Sequence, residues 1–437
     1  MKNISVFFLF LILLFIPLIL NAQDFGFGDS DFGFSSESSS FSVHIGGEAN
    51  AGLTLYFDDF SSAEKIRESK LGDIFSGSLN FEAGNSAAQG IINLNLAPVL
   101  DSPVEIDEAY LRTYFGSLTF EGGYRKIYWG RADSFGPLDL INPLDFQDLT
   151  RISDPQSIKI ARPMIRGIWS ISNFSRLDAV FIPWYQGHQF AVTGRWAPSQ
   201  IKTLQESFII DELYPETNSL EYAQTGLRFT TSFLSSDMGF QYYFGRLPRP
   251  AVNWHINPAL QTPIPLINYN HYHHIGLDFA RVIYNFNIRA EAGANITGDL
   301  DGTDGNIENP CLLWSLGFDR DLFLGINMNL QGAGSYRLYH DNIGANPFTD
   351  IEAGTEKSST RITGIFSKNF FRDELEIKVT GLWGIEDRDF LIMPGILWSA
   401  NSVSAELSAG FFGGSRKGEL GQYRDNCYVK AVLGYRF

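Results

Sequence analysis

The chain has 437 residues, 44% hydrophobic and 14% aromatic but only 19% charged, with 42 Gly, 37 Phe and two Cys. Disordered chains are poor in aromatics and rich in charge, so that class is excluded, and a net charge of −16 excludes a basic nucleic-acid binder. Two cysteines build neither a disulfide framework nor a zinc site, and beyond residue 22 no apolar run nears the ~18 residues of a spanning helix.

The chain opens on Met1-Lys2-Asn3, runs apolar from Val6 to Leu20, and then reads Asn21-Ala22-Gln23. A basic start, an apolar stretch of about 15 residues and a small residue at the exit predict a secretory signal peptide. We expect it to span residues 1–22. Residues 23–40 (QDFGFGDSDFGFSSESSS) are low-complexity Gly, Ser, Asp and Phe, expected to form a periplasmic lead-in.

From residue 41 to the end the sequence alternates. Phe75, Gly77, Leu79, Phe81 and Ala83 share one parity, while Ser76, Ser78, Asn80 and Glu82 share the other. Tyr284, Phe286, Ile288, Ala290 and Ala292 oppose Asn285, Asn287, Arg289, Glu291 and Asn295 in the same way. Leu324, Ile326, Met328 and Leu330 oppose Asn327, Asn329 and Gln331. A period of two over about ten residues predicts strands with one apolar and one polar face. That is about twice the length of a typical soluble strand and is the length that crosses a bilayer when tilted.

In chain order the predicted strands lie near 41–57, 74–83, 86–97, 104–115, 117–126, 160–172, 175–183, 221–233, 236–246, 269–281, 282–296, 311–319, 321–337, 358–369, 373–384, 389–399, 402–411 and 425–437. Links after even-numbered strands are tiny, such as Gly84-Asn85, Gly116, Asn173-Phe174 and Leu234-Ser235. Those after odd-numbered strands are mostly long: 58–73, 127–159, 184–220, 247–268 and 338–357. Short periplasmic turns and long external loops are the pattern of outer-membrane barrels. The expected fold is therefore all-β, a transmembrane antiparallel up-and-down β-barrel of 16–18 strands over residues 41–437. The last strand alternates Cys427, Val429, Ala431, Leu433, Tyr435 and Phe437 with Tyr428, Lys430, Val432, Gly434 and Arg436. A final strand ending on Phe437, with Leu433 and Tyr435 before it, looks like the signal read by barrel assembly machinery.

If the apolar parity meets outer-membrane lipid, the other lines a lumen, and barrels of this size leave an aqueous channel. Glu108, Arg112, Glu121, Arg125, Arg162 and Arg166 fall on neighbouring strands and are candidates for a selectivity constriction, or for an ion-pair lattice bracing the wall. Arg228, Arg289 and Glu291 are further pore-lining candidates. Residues 127–159 form a 33-residue loop, long enough to fold back and narrow the bore. Its candidate constriction residues are Trp129, Arg131, Asp133, Asp139, Asn142 and Asp145.

Glu108-Ala109-Tyr110, then Trp129-Gly130-Arg131-Ala132-Asp133 and Asp139-Leu140-Ile141-Asn142-Pro143-Leu144-Asp145, resemble a family of poorly characterised outer-membrane barrels related to alginate-export-type porins. The resemblance covers residues 105–150 and implies a porin-like barrel, with no substrate carried over. Asp139, Asn142, Asp145 and Asp148 are spaced by three and could bind Ca²⁺ through oxygen, although turn capping is the commoner use. No resident metal or cofactor is expected.

In the loop 184–220, Ile201, Leu204, Phe208 and Ile209 have helical spacing before Pro215, so residues 199–213 are predicted as a short helix. His271 and His273 fall on the lipid-side parity, beside His274. Cys311 and Cys427 lie on distant strands and are expected to be free thiols. No nucleophile motif accompanies a histidine, so no enzyme is expected. The reading is a porin for small hydrophilic solutes, with a homo-oligomer possible. Its rivals are a carrier of hydrophobic ligands of the long-chain fatty-acid type and a surface adhesin.

Overall fold

Alternating strands leave a row of unpaired backbone groups at each sheet edge, and in lipid those groups have no water to bond. Closure removes the edge. In the computed structural model, which describes residues 41–60, 75–97, 103–256 and 262–437, eighteen antiparallel strands form one closed barrel. They are β1 (Ser42–Tyr56), β2 (Phe75–Gly84), β3 (Ala88–Leu96), β4 (Val104–Phe115), β5 (Leu118–Arg125), β6 (Arg162–Ser170), β7 (Ser175–Ile182), β8 (Gln224–Phe233) and β9 (Ser236–Arg246). There follow β10 (His271–Ile283), β11 (Phe286–Thr297), β12 (Cys311–Asp321), β13 (Asn327–Arg337), β14 (Ser358–Phe370), β15 (Leu375–Gly384), β16 (Asp389–Ala400), β17 (Val403–Gly414) and β18 (Tyr428–Arg436). Each pairs with the next, and β18 returns to β1 with Tyr428 opposite Tyr56 and Arg436 opposite Glu48. The predicted signal peptide and lead-in lie outside the described residues.

Side-chain parity follows the expectation. Ile165, Leu227, Leu277, Leu316, Ile396 and Leu407 form an exposed apolar belt. Two aromatic rims flank it. Phe115, Trp169, Phe233, Trp398 and Tyr435 stand exposed at the short-turn end, and Trp314, Tyr336, Trp383 and Phe411 at the long-loop end. An apolar band between aromatic girdles matches the bilayer and its two interfaces, so the molecule is an integral membrane barrel of the outer-membrane type. Leu433, Tyr435 and Phe437 all sit on the outward face, exposed.

Some boundaries differ from the sequence reading, for local reasons. The turn between β10 and β11 is Tyr284-Asn285 rather than a break at 282, so Tyr284 is a turn residue and not part of the greasy face. Both residues have positive φ, as do Leu234 and Ser235, giving the mirror-image turn whose twist suits a two-residue hairpin. Leu324 and Ile326, read as strand, belong to a longer turn in which Leu324 and Gly325 are left-handed. Between β3 and β4 the register shifts, leaving Asp107 as an extra residue between the pairs Asn93–Glu108 and Leu94–Ile106. The predicted helix over 199–213 is split into Ser199–Gln205 and Ile210–Leu213. Ile201, Leu204 and Phe208 pack with Tyr185, Ile267 and Tyr269, while Ile209 points away, exposed.

The belt predicts a stability effect. Leu316→Arg, near the middle of β12, should destabilise the barrel by about 2–4 kcal/mol, the cost of a cation on the lipid face at mid-depth. Urea unfolding of vesicle-reconstituted protein measures it.

Candidate functional site

After β5 the chain turns inward, and glycines on the wall make room for it. Trp129 packs against Gly226 of β8, where a Cβ would stand 2.7 Å from the indole. Leu138 packs against Gly276 of β10, where a Cβ would come within 2.3 Å. Trp129, Leu138 and Ile141 are fully buried, in a chain whose outer face is exposed. The segment is pinned by polar groups of the inward parity. Glu291 accepts the backbone N–H of Arg131 and, at 2.9 Å, that of Ala132. Gln331 accepts the N–H of Asp133 at 2.9 Å and donates to the Phe135 carbonyl at 2.9 Å. Gln241 donates to the Leu138 carbonyl at 2.9 Å. Gly130, at φ +100°, and Gly136 wrap around Glu291 so closely that a Cβ on either would meet its carboxylate at 2.5 and 2.8 Å.

The neck of the loop is closed by Asn142, which accepts from the N–H of Ile127 and donates to the carbonyls of Arg125 and Ile160. Beside it Lys159 meets Asp139 at 2.7 Å and donates to the Ile127 carbonyl. Burial disfavours both charges, pushing the Lys159 ammonium down and the Asp139 carboxyl up, against the attraction of the pair.

The return limb crosses to the opposite wall. Leu149 and Ile152 join Leu382, Leu391, Met393, Phe412 and Tyr428, all facing inward from β15–β18. Trp196 from the loop 183–223 and Leu420 and Tyr423 from the loop 415–427 complete this apolar cluster. Asp389, fully buried at the head of β16, holds the last of these loops by accepting the N–H groups of Leu420 at 2.6 Å and Gly421 at 3.1 Å. His188 ties two loops together by accepting the Leu144 N–H at its Nδ1, 2.9 Å away. Burial first, then the nearby Arg249 charge, lower its pKa to about 3, so the ring stays neutral and keeps that acceptor.

Below the loops, the arginines of the inward face are paired. Arg112 and Arg166 reach Glu121 at 2.7 and 3.0 Å. Arg125 reaches Glu108 at 2.6 Å and Glu121 at 3.6 Å. Arg166 also pairs with Asp178, which Arg176 meets at 3.0 Å. Arg162 stands apart from this group, donating to the carbonyls of Ile141 and Trp184 over the ring of Tyr185. Arg228 and Arg131 share Asp278, each at 2.6 Å. Arg289 bridges Asp133 and Asp319. Glu121, Arg166, Asp178, Arg228 and Asp278 are all buried.

The metal-like spacing dissolves in three dimensions. Asp139 faces Lys159, Asn142 serves the backbone, Asp145 accepts the Gln147 N–H and Asp148 caps Thr150. Among the described residues no group of three His, Cys, Asp or Glu is placed to hold a metal ion. The histidine run divides as its parity demands. His271 and His273 lie outward against Phe244, whereas His274 is buried inward against Asn295. Both cysteines are free. Gln241, Asp278, Gln331, Lys159, His188 and Asp389 escaped the sequence reading. For Gln241, Asp278, Gln331 and Asp389, which sit on strands, inward parity was the available signal; Lys159 and His188 lie on loops, and partners of the six lie 13–198 residues away along the chain.

No family model matches the chain, and neither does any curated protein. The alginate-export resemblance therefore stands on residues 105–150 alone. Among solved structures the chain is similar to Wzi, an outer membrane protein involved in group 1 capsule assembly in Escherichia coli (10% identity, TM-score 0.49, covering 90% of this chain and 84% of that one). It is also similar to OpdL of Pseudomonas aeruginosa (9%, 0.49, covering 91% and 98%) and to the outer membrane channel DcaP of Acinetobacter baumannii (11%, 0.42, covering 93% and 99%). The barrel topology stands on its own strand pairing, without these likenesses.

Two outcomes are expected. Arg166→Met leaves Glu121 and Asp178 short of a buried partner and should destabilise the barrel by about 3–5 kcal/mol, read as a lower urea midpoint. In histidine-selective NMR of the detergent-solubilised protein, the His188 ring should stay neutral between pH 8 and 5, a range in which an unperturbed imidazole titrates near 6.5.

Proposed function

We propose that the protein is an outer-membrane channel through which small hydrophilic solutes diffuse, narrowed by its own loop 126–161. The observation that carries this reading is the contrast between two walls of one closed barrel. The wall from β5 to β13 is occupied by the loop or sealed by ion pairs. The wall from β14 to β18 and on through β1–β3 keeps polar inward positions, with Asn50, Asn80, Glu82, Lys378, Glu406 and Lys430 exposed or half-buried; Glu82, Lys378 and Glu406 lie toward the short-turn end, Asn50 and Asn80 at mid-height and Lys430 nearer the long-loop end. A polar wall lets a hydrated solute exchange waters for side chains at little cost, whereas an apolar solute gains nothing from it. In this role Arg131, Asp133 and Glu291 fix the constriction, and Arg112, Arg125 and Arg166 with Glu108 and Glu121 brace the wall behind it. Trp129, Asp139 and Asn142 hold the loop's fold.

Residues 1–22 would direct export. The outward Leu433, Tyr435 and Phe437 would present the assembly signal on β18.

Conductance in planar bilayers tests the reading. The purified protein should give small, stable ohmic steps, and deleting residues 131–138 should enlarge them severalfold by removing the segment that fills the bore. Correctly folded protein that is silent in both forms would sink the channel assignment.

A further inference from the structure

Pairing on the arginine-rich wall leaves few luminal charges free, and where those few sit decides which solutes the bore favours. On β15–β18 the free charges come as neighbouring opposites. Glu376 and Lys378 are two residues apart on one face of β15, and Glu406 lies diagonal to Lys430, whose register partner is Ser408. Diagonal neighbours across a ladder are roughly 7–8 Å apart, about one Debye length at physiological salt. To a passing ion these four charges largely cancel.

Glu82 on β2 has no such neighbour. It faces the lumen opposite His44 of β1 and Ile91 of β3, close to the short-turn end. The same-face positions around it are Asn80 and Gly84 on its own strand, with Ser42, Gly46, Gln89 and Asn93 on the diagonals. None is Lys or Arg, and among the described residues no cation pairs with it. Glu108, inward on β4, is held by Arg125 at 2.6 Å and by Asn93 at 3.3 Å. Glu82 is exposed on a cavity of about 240 Å³ lined also by His44, Gly46, Asn80, Ile91 and Asn93.

We propose that Glu82 is a selectivity-determining residue: its uncompensated carboxylate biases the channel toward cationic solutes, small ammonium-bearing ones included. The inference rests on the channel reading above. A cation entering the cavity meets one full negative charge, together with the amide oxygens of Asn80 and Asn93, which can replace part of its hydration shell. An anion meets the same carboxylate with no guanidinium or ammonium to offset it.

Reversal potentials in planar bilayers under a KCl gradient test it. Wild type should prefer K⁺ over Cl⁻. Glu82→Gln should lower the permeability ratio about two- to threefold at 0.1 M salt and less at 1 M, where the Debye length falls from about 10 to 3 Å. Glu82→Lys should carry the ratio toward anions. Glu376→Gln combined with Lys378→Gln removes a self-cancelling pair and should leave the ratio unchanged. Ohmic steps of normal size with one ratio in wild type and both Glu82 variants would overturn the proposal while leaving the channel intact. Absence of steps in folded wild type would instead overturn the channel reading, and this proposal with it.

Discussion

A backbone N–H or C=O inside a bilayer has no water to turn to, and everything else in this molecule depends on that. An open sheet would leave two rows of such groups bare, at a cost of several kcal/mol for each. The pairing of β18 with β1 removes both rows at once. It also commits one face of every strand to lipid, so the inward face and the loops must supply all remaining polar chemistry. Because side chains alternate with a period of two, a slip of one residue in any strand would put charges such as Arg166 or Glu291 into acyl chains. Register is therefore set by the same force that sets topology.

Inside the wall, two kinds of packing divide the barrel along its axis. Toward the long-loop end the inward face is apolar on β15–β18, where Leu382, Leu391, Met393 and Phe412 bury against loop residues such as Leu149 and Trp196. This is a core of the soluble-protein kind, built from segments that begin and end outside the membrane. Toward the short-turn end the inward face is polar. On β4–β8 its arginines and carboxylates are close enough to need one another, since a buried guanidinium without a partner is far more costly than a paired one. Ion pairing there braces the wall and leaves little net field behind.

Fold and topology were legible in the sequence because they follow from local periodicity. The two-residue alternation, the tiny links after even strands and the mostly long links after odd ones are properties of short windows, and the structure repeats them, with the four-residue link 385–388 after β15 as the short exception. Turn centres were less legible: at Tyr284-Asn285 a left-handed pair of non-glycine residues sits in a stretch that alternates without interruption. The site was legible only in part. Parity placed Arg112, Arg166, Arg228 and Glu291 inside, and loop length pointed to residues 127–159. Nothing local could say that Glu291 would hold the amides of Arg131 and Ala132, some 160 residues away. Nor could spacing show that Asp139 is held by Lys159 instead of an ion.

Arg131 shows why the inward-folded loop is a fixed part of the wall and not a lid. Its backbone N–H goes to Glu291 while its guanidinium goes to Asp278, the carboxylate that also holds Arg228. Loop and lattice are thus one network. Lifting the loop would strip Glu291 of the Arg131 and Ala132 amides, leave Asp278 with Arg228 but without Arg131, and expose Trp129, Leu138 and Ile141 to water. Three large apolar side chains lose about 1.5–3 kcal/mol each on exposure, and the stranded Glu291 carboxylate adds several more. Such a sum approaches the stability of a whole domain. Motions that lift the loop off the wall therefore belong to unfolding, and in the proposed channel selectivity would be set by the groups that line the static path beside it.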